Sequence, residues 1–195
     1  MRGQPVRAQR RDAVQNYHRV LDAAREVFDE SGADAGIEEI AARAGVGIGT
    51  VYRRFASKEA LIDELLRLAL AEMTDAAGKA LARTDGAGLE MFLRAIAQSF
   101  ADHARYAGLL LQRPADPAAR ARIRAAIGEL TERAVTAGTV NPHITTGDVM
   151  ALIWSLRGLA QATAEVAVAP DAWQRYLDIH LAGMKTPSAT LADLR

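Results

Sequence analysis

Residues 45–58 read Gly-Val-Gly-Ile-Gly-Thr-Val-Tyr-Arg-Arg-Phe-Ala-Ser-Lys. Hydroxyl, guanidinium and ammonium groups crowd this stretch, and these are the groups that bind phosphate oxygens and the edges of bases. Tyr52 has a hydroxyl to donate to a phosphate, with Arg54 and Lys58 beside it. Such contacts set register on a duplex without reading its sequence. Thr50, Arg53 and Ile48 are the candidates for base edges. An arginine reaches guanine O6 and N7 together, and an exposed isoleucine meets a thymine methyl. The alternative for Ile48 is packing inside the domain. Lys58 sits in the first turn of a helix, where a cation opposes the dipole, and a phosphate partner would offset that cost.

These residues need a scaffold that presents them together. A short apolar stripe, Ile37, Ile40, Ala41 and Ala44, forms one helix, and Gly45 ends it. A second short helix runs from Ile48 to Phe55, with Val51 and Phe55 on its inner face. Two short helices joined by a glycine-containing turn describe a helix-turn-helix. Between Ile40 and Lys58 the charged residues are Arg43, Arg53, Arg54 and Lys58, with no acid among them. Residues 1–11 carry Arg2, Arg7, Arg10 and Arg11, again without an acid, and read as a flexible basic arm. Arg7, Arg10 and Arg11 would follow the DNA backbone or enter the minor groove, or form a plain charged tail. All 24 acidic residues lie outside these two windows, although net charge is zero. A basic N-terminal unit on an acidic body suits a protein that touches DNA at one end. The Gly45-x-Gly47-x-Gly49 spacing is not a nucleotide fingerprint, because no strand precedes it.

The rest of the chain reads as helices. Half of the 195 residues are hydrophobic and only 5% aromatic, with alanine and leucine dominant, which favours an all-α fold. Asp12 and Gln15 resemble a capping box opening a helix with Tyr17, Val20, Leu21, Ala24, Val27 and Phe28 on one face. Ser57 is placed to cap a long linking helix with Leu61, Ile62, Leu65, Leu66, Ala69 and Met73 inward. Further helices carry Leu89 to Phe100, Tyr106 to Leu111, Ala118 to Thr136, Val149 to Thr163 and, after Pro170, Trp173 to Leu181. There is no cysteine, so no disulfide and no zinc finger. No apolar run reaches membrane-spanning length and no secretory h-region follows the charged start, so a cytoplasmic location is expected. His18, His143 and His180 are isolated, no nucleophile elbow is present, and neither a metal, a cofactor nor an enzyme is expected.

The N-terminal third resembles the TetR family of bacterial regulators. The resemblance rests on Phe28-Asp29-Glu30-Ser31-Gly32, Ile40-Ala41-Ala42-Arg43-Ala44-Gly45-Val46, Gly49-Thr50-Val51-Tyr52-Arg53-Arg54-Phe55 and Ser57-Lys58-Glu59-Ala60-Leu61. It covers residues 11–66; the remainder matches only in helix count, lengths and order. It implies a three-helix helix-turn-helix domain over 1–56 with its basic arm, and an effector-binding and dimerisation domain over 57–195. Residues 57–80 would link the two, in about nine helices overall. The resemblance further implies a homodimer on a palindromic operator, most often a repressor released by a small molecule. The alternatives are an effector-independent activator or architectural protein, or a helical carrier or enzyme. Two departures stand out. Gly36 and Gly47 occupy helix starts where relatives often carry Ser or Thr, leaving Gly47 only its backbone N–H for a phosphate. Arg54 replaces a common His or Tyr.

An effector pocket should be apolar with a few convergent polar groups. Trp154, Arg157 and Gln161 recur at helical spacing on the face opposite Val149, Ile153 and Leu156. With Phe92, Phe100, His103, Tyr106 and Leu110 they are the candidate lining, the alternative being ordinary core with Arg157 at the surface. The last two helices would form a four-helix bundle with a second copy. The candidate interface is Val149, Ile153, Leu156, Trp173, Tyr176, Leu177 and His180, the alternative being that one stripe packs inward only.

Overall fold

The computed structural model describes residues 5–102, 116–165, 169 and 171–185. It contains α1 (Pro5–Ser31), a 3-10 turn (Gly32–Asp34), α2 (Ile37–Ala44), α3 (Ile48–Arg54) and α4 (Lys58–Leu81). After these come α5 (Gly88–Asp102), α6 (Pro117–Thr136), α7 (Thr146–Glu165) and α8 (Ala172–Met184). Among the described residues there is no strand, and the fold is all-α. The short helix expected over Tyr106–Leu111 lies outside the described residues. α1 begins at Pro5 rather than Asp12, so the arm's residues 5–11 continue the helix. Proline suits a first helical position, and the Ala, Gln and Arg residues that follow are good helix formers.

The chain divides into two compact units, one ending at Arg67 and the other beginning at Leu68, a division that falls inside α4. In the first unit α1 packs on α2, and α2 on α3. Val20, Leu21, Ala24, Val27 and Phe28 are buried, as are Ile37, Ile40, Ala41, Ala44, Val51 and Phe55. The first turns of α4 belong here through buried Leu61, Ile62 and Leu65. Ser57 caps α4 as expected: its Oγ accepts the Ala60 N–H at 3.2 Å. The α2–α3 turn depends on Gly45, which stands at φ +64°. Its N–H reaches Ala42 O at 3.1 Å while the Val46 N–H reaches Ala41 O at 3.0 Å. That pair of bonds closes α2 as a Schellman motif, for which glycine is the favoured residue.

In the second unit one core gathers the inner faces of α5, α6, α7 and α8 together with Ala77 and Ala80 of α4. The starts of α6 and α7 carry side-chain caps. The Asp116 carboxylate accepts the Ala118 N–H at 2.9 Å, with Pro117 in the first turn of α6. Before α7, Thr145 N–H donates to Asp148 Oδ2 at 2.8 Å and Asp148 N–H returns to Thr145 Oγ at 3.3 Å. A tight backbone approach stands at the start of α5. A Cβ on Gly88 would lie 2.5 Å from the Ala80 carbonyl oxygen and 3.1 Å from Leu130 Cδ2. The carbonyl is backbone and cannot turn aside, so Gly88→Ala is expected to cost about 1–3 kcal/mol through overpacking. Chemical denaturation followed by circular dichroism measures it, and an unchanged midpoint would contradict this packing.

Candidate nucleic-acid interface

α3 is seven residues long, too short to stand alone. Val51 is fully buried and Phe55, just beyond the helix, is 5% exposed, so these two anchor it. The opposite side is left bare: Ile48 is 40% exposed and Tyr52 47%. Ile48 therefore does not pack inside the domain. Arg53 and Arg54 are exposed and Thr50 half-buried, and Arg53 Nη2 donates to Thr50 Oγ1 at 3.0 Å. Gly47 caps the helix in extended conformation. A Cβ on Gly47 or Gly49 would meet nothing within 4 Å, so the backbone at the start of α3 is open to close approach. Thr50, Tyr52, Arg53 and Arg54 thus share one short exposed helix. Lys58, in the first turn of α4, has its Nζ 5.9 Å from the Phe28 ring centre. Arg11 is exposed on α1; the side chains of Arg7 and Arg10 lie outside the described ones.

The charge pattern needs one correction. Arg43 belongs to the acid-free sequence window, yet its guanidinium holds Glu30 at 2.9 and 2.6 Å and Glu26 at 3.3 Å. The two glutamates come from α1, one helical turn apart, so a window free of acids in sequence is not free of them in space. Hydrogen bonds from Arg43 hold the Glu30 carboxyl below its usual range, and Arg43 is raised in return.

Tyr17 was legible only as part of an apolar stripe. Its hydroxyl in fact donates to Glu64 Oε1 on α4, and its ring stacks on Phe55 at 6.1 Å between centres. Glu64 also accepts from Arg67 Nε at 2.7 Å and Nη2 at 2.8 Å. The hint available in the sequence was that Tyr17 is the one residue of that stripe with a polar tip, and a half-buried hydroxyl seeks a partner.

Two family descriptions match the chain. The model of bacterial regulatory proteins of the TetR family covers residues 20–65. That of the C-terminal domain of SbtR-like transcriptional regulators covers 84–186. The chain belongs to the TetR family. It is similar to a TetR transcription regulatory protein from Mycobacterium vanbaalenii, at 34% identity and a TM-score of 0.61, covering 83% of this chain and 98% of that one. An HTH-type transcriptional regulator from Staphylococcus aureus is 40% identical over 53 residues, 27% of this chain and 29% of that protein. The A-factor receptor protein of Streptomyces griseus is 46% identical over 55 residues, 28% of this chain and 20% of the receptor. The chain therefore matches less than a third of the length of these two curated relatives. As a TetR-family member it is a DNA-binding regulator of transcription, with α2 and α3 as its helix-turn-helix.

In the second unit of this TetR-family chain, the expected residues separate. Phe92 is fully buried in the core, and Phe100 is half-buried against it. Trp154 is 62% exposed. It lines an open groove of about 480 Å³ with Arg124, Thr146, Gly147, Met150 and Ala151. Phe92 and Trp154 therefore do not line one cavity: the Trp154 side of α7 turns away from the core that holds Phe92. Arg157 and Gln161 are half-buried. The Arg157 guanidinium lies 5.4 Å from the Trp154 ring centre, its Nε is buried without a hydrogen-bond partner, and burial lowers its pKa. His103, Tyr106 and Leu110 lie outside the described residues.

The expected dimer stripe also needs correcting. Val149, Ile153, Leu156, Trp173 and Leu177 are all buried in the core of the second unit. Tyr176 and His180 are half-buried, their rings 4.1 Å apart, with His180 Nδ1 2.8 Å from the Tyr176 carbonyl. Among the described residues no helix is long and apolar enough to cross a membrane. No group of three His, Asp or Glu among them is arranged to hold a metal.

Hydrogen bonds from Arg67, then from the Tyr17 hydroxyl, together with the Arg67 and Arg54 charges, hold the Glu64 carboxyl down to about 2. Its folded value lies below the ordinary one of about 4.3. The stabilisation is therefore complete above that ordinary value and is lost as pH falls toward 2. Melting temperature should fall between about pH 5 and pH 2 more steeply for the wild type than for Glu64→Gln. Equal slopes in calorimetry would show that Glu64 is not the group responsible.

Proposed function

We propose that the protein is a homodimeric repressor that binds a palindromic operator through α3 and leaves it when a small molecule occupies its second unit. The observation that carries the DNA reading is the bare side of α3, where Ile48 and Tyr52 stay exposed while Val51 and Phe55 are buried. Ile48, Thr50 and Arg53 read base edges, and Gly47, Tyr52, Arg54 and Lys58 hold phosphates, with Arg7, Arg10 and Arg11 following the backbone. Two copies of α3 must stand about 34–36 Å apart to enter successive major grooves on one face of DNA.

The dimer surface in this reading is the outward side of the last two helices. Trp154 on α7 and Ile179 on α8 are 62% and 60% exposed. Small exposed neighbours, Ala151, Ser155 and Gly158 on α7 and Ala182 and Gly183 on α8, permit close approach of a second copy. An exposed tryptophan is the kind of anchor that interface centres use. The effector acts by binding better to the state that cannot hold DNA, without which it shifts nothing. Phe100, Arg157 and Gln161, half-buried, are the described side chains offered for its site. That the A-factor receptor of Streptomyces griseus is named a receptor supports ligand control.

Two measurements test this. A gel shift on the DNA upstream of the gene should show sequence-selective binding that a Tyr52→Phe/Arg54→Ala double variant loses by about tenfold or more. No binding by folded wild-type dimer would count against a local operator. Light scattering should find a dimer for the wild type and a monomer for Trp154→Glu/Ile179→Glu. A variant that stays dimeric would move the interface elsewhere.

A further inference from the structure

Arg54 is the last residue of α3, and its guanidinium carbon stands 4.8 Å above the centre of the Tyr17 ring. The same ring stacks on Phe55, and its hydroxyl is tied to Glu64 on α4. Three helices thus meet at one ring. α1 supplies it, α4 fixes its hydroxyl, and the end of α3 lays Arg54 on its face. Glu64 gives its oxygens to Tyr17 and to Arg67, not to Arg54 at ion-pair distance, although the Arg54 charge is among the influences keeping Glu64 ionised.

Arg43 spends its guanidinium on two glutamates. Arg54 is oriented by a ring face, which restrains the side chain without occupying its N–H donors. A free arginine gives up rotamer entropy when it is fixed. Laying the guanidinium on a held ring removes part of that loss before any phosphate arrives. We infer that Tyr17 and Glu64 are positioning residues that present Arg54 to a DNA phosphate, an inference that rests on reading α3 as the DNA-contacting helix.

The test uses the full chain and a random-sequence duplex, since phosphate contacts do not need the operator. Affinity is measured across a salt series for wild type, Arg54→Ala, Tyr17→Leu, Tyr17→Phe, Glu64→Gln and each pairing with Arg54→Ala. Arg54→Ala should lower the slope of log affinity against log salt by about 0.9, the loss of one phosphate contact. Tyr17→Leu and Glu64→Gln should weaken binding about tenfold with Arg54 present and not at all in its absence. Tyr17→Phe, which keeps the ring and the fold, should show a smaller loss with the same dependence on Arg54. In DNA-free protein the Arg54 Nε–H resonance should carry a ring-current shift that Tyr17→Leu abolishes. An unchanged salt slope in Arg54→Ala would overturn the phosphate role and the inference with it. Losses at Tyr17 and Glu64 that persist without Arg54, or an Arg54 resonance without a ring-current shift, would overturn the positioning role and leave the phosphate contact standing.

Discussion

A seven-residue helix has no stability of its own, and the first unit is organised around that fact. Nucleating a helix is unfavourable, and a single short segment never recovers the cost in water. α3 exists because Val51 and Phe55 are buried, with α3 packed on α2 and Phe55 stacked on the Tyr17 ring of α1. Burial of two such side chains contributes about 3–6 kcal/mol, and the turn at Gly45 fixes the angle at which they enter. With the inward side of α3 committed to Val51, Ile48 and Tyr52 are left out of the core. Ile48, Tyr52 and Arg53 can face outward because nothing in the fold asks more of them.

The second unit meets the opposite constraint. Its helices are all apolar along one stripe, and four helices together with the end of α4 use those stripes on each other. What is left over is the informative part. α7 carries Trp154 on its outer side, and α8 carries Ile179 on its own. Leaving a large apolar side chain in water forgoes the gain of burying it, and the proposed dimer would recover that gain at both positions.

The sequence made the helices of the first unit legible because each has one strong period and clear punctuation. Ser57 as a cap and Ile48 as the start of α3 follow from local rules and stand in the structure. What stayed hidden was anything decided by the third dimension. Arg43 looked like part of a basic surface until α1 brought Glu26 and Glu30 to it. Tyr17 looked apolar until α4 brought Glu64. In the second unit periodicity correctly found the stripes of Val149, Ile153, Leu156, Trp173 and Leu177, but a stripe does not say whether its partner is the same chain or another. Residues 5–11 look like an arm by charge, but their helix propensity carries α1 back to Pro5.

The chain has two tryptophans, and the fold gives them different surroundings. Trp173 is 8% exposed inside the core and Trp154 is 62% exposed on the outside of α7. Indole emission shifts to the blue in apolar surroundings and to the red in water, so the molecule carries two intrinsic optical probes of separate events. Covering the outer side of α7, as the proposed dimer would, shifts the red component. Melting of the core alters the blue one.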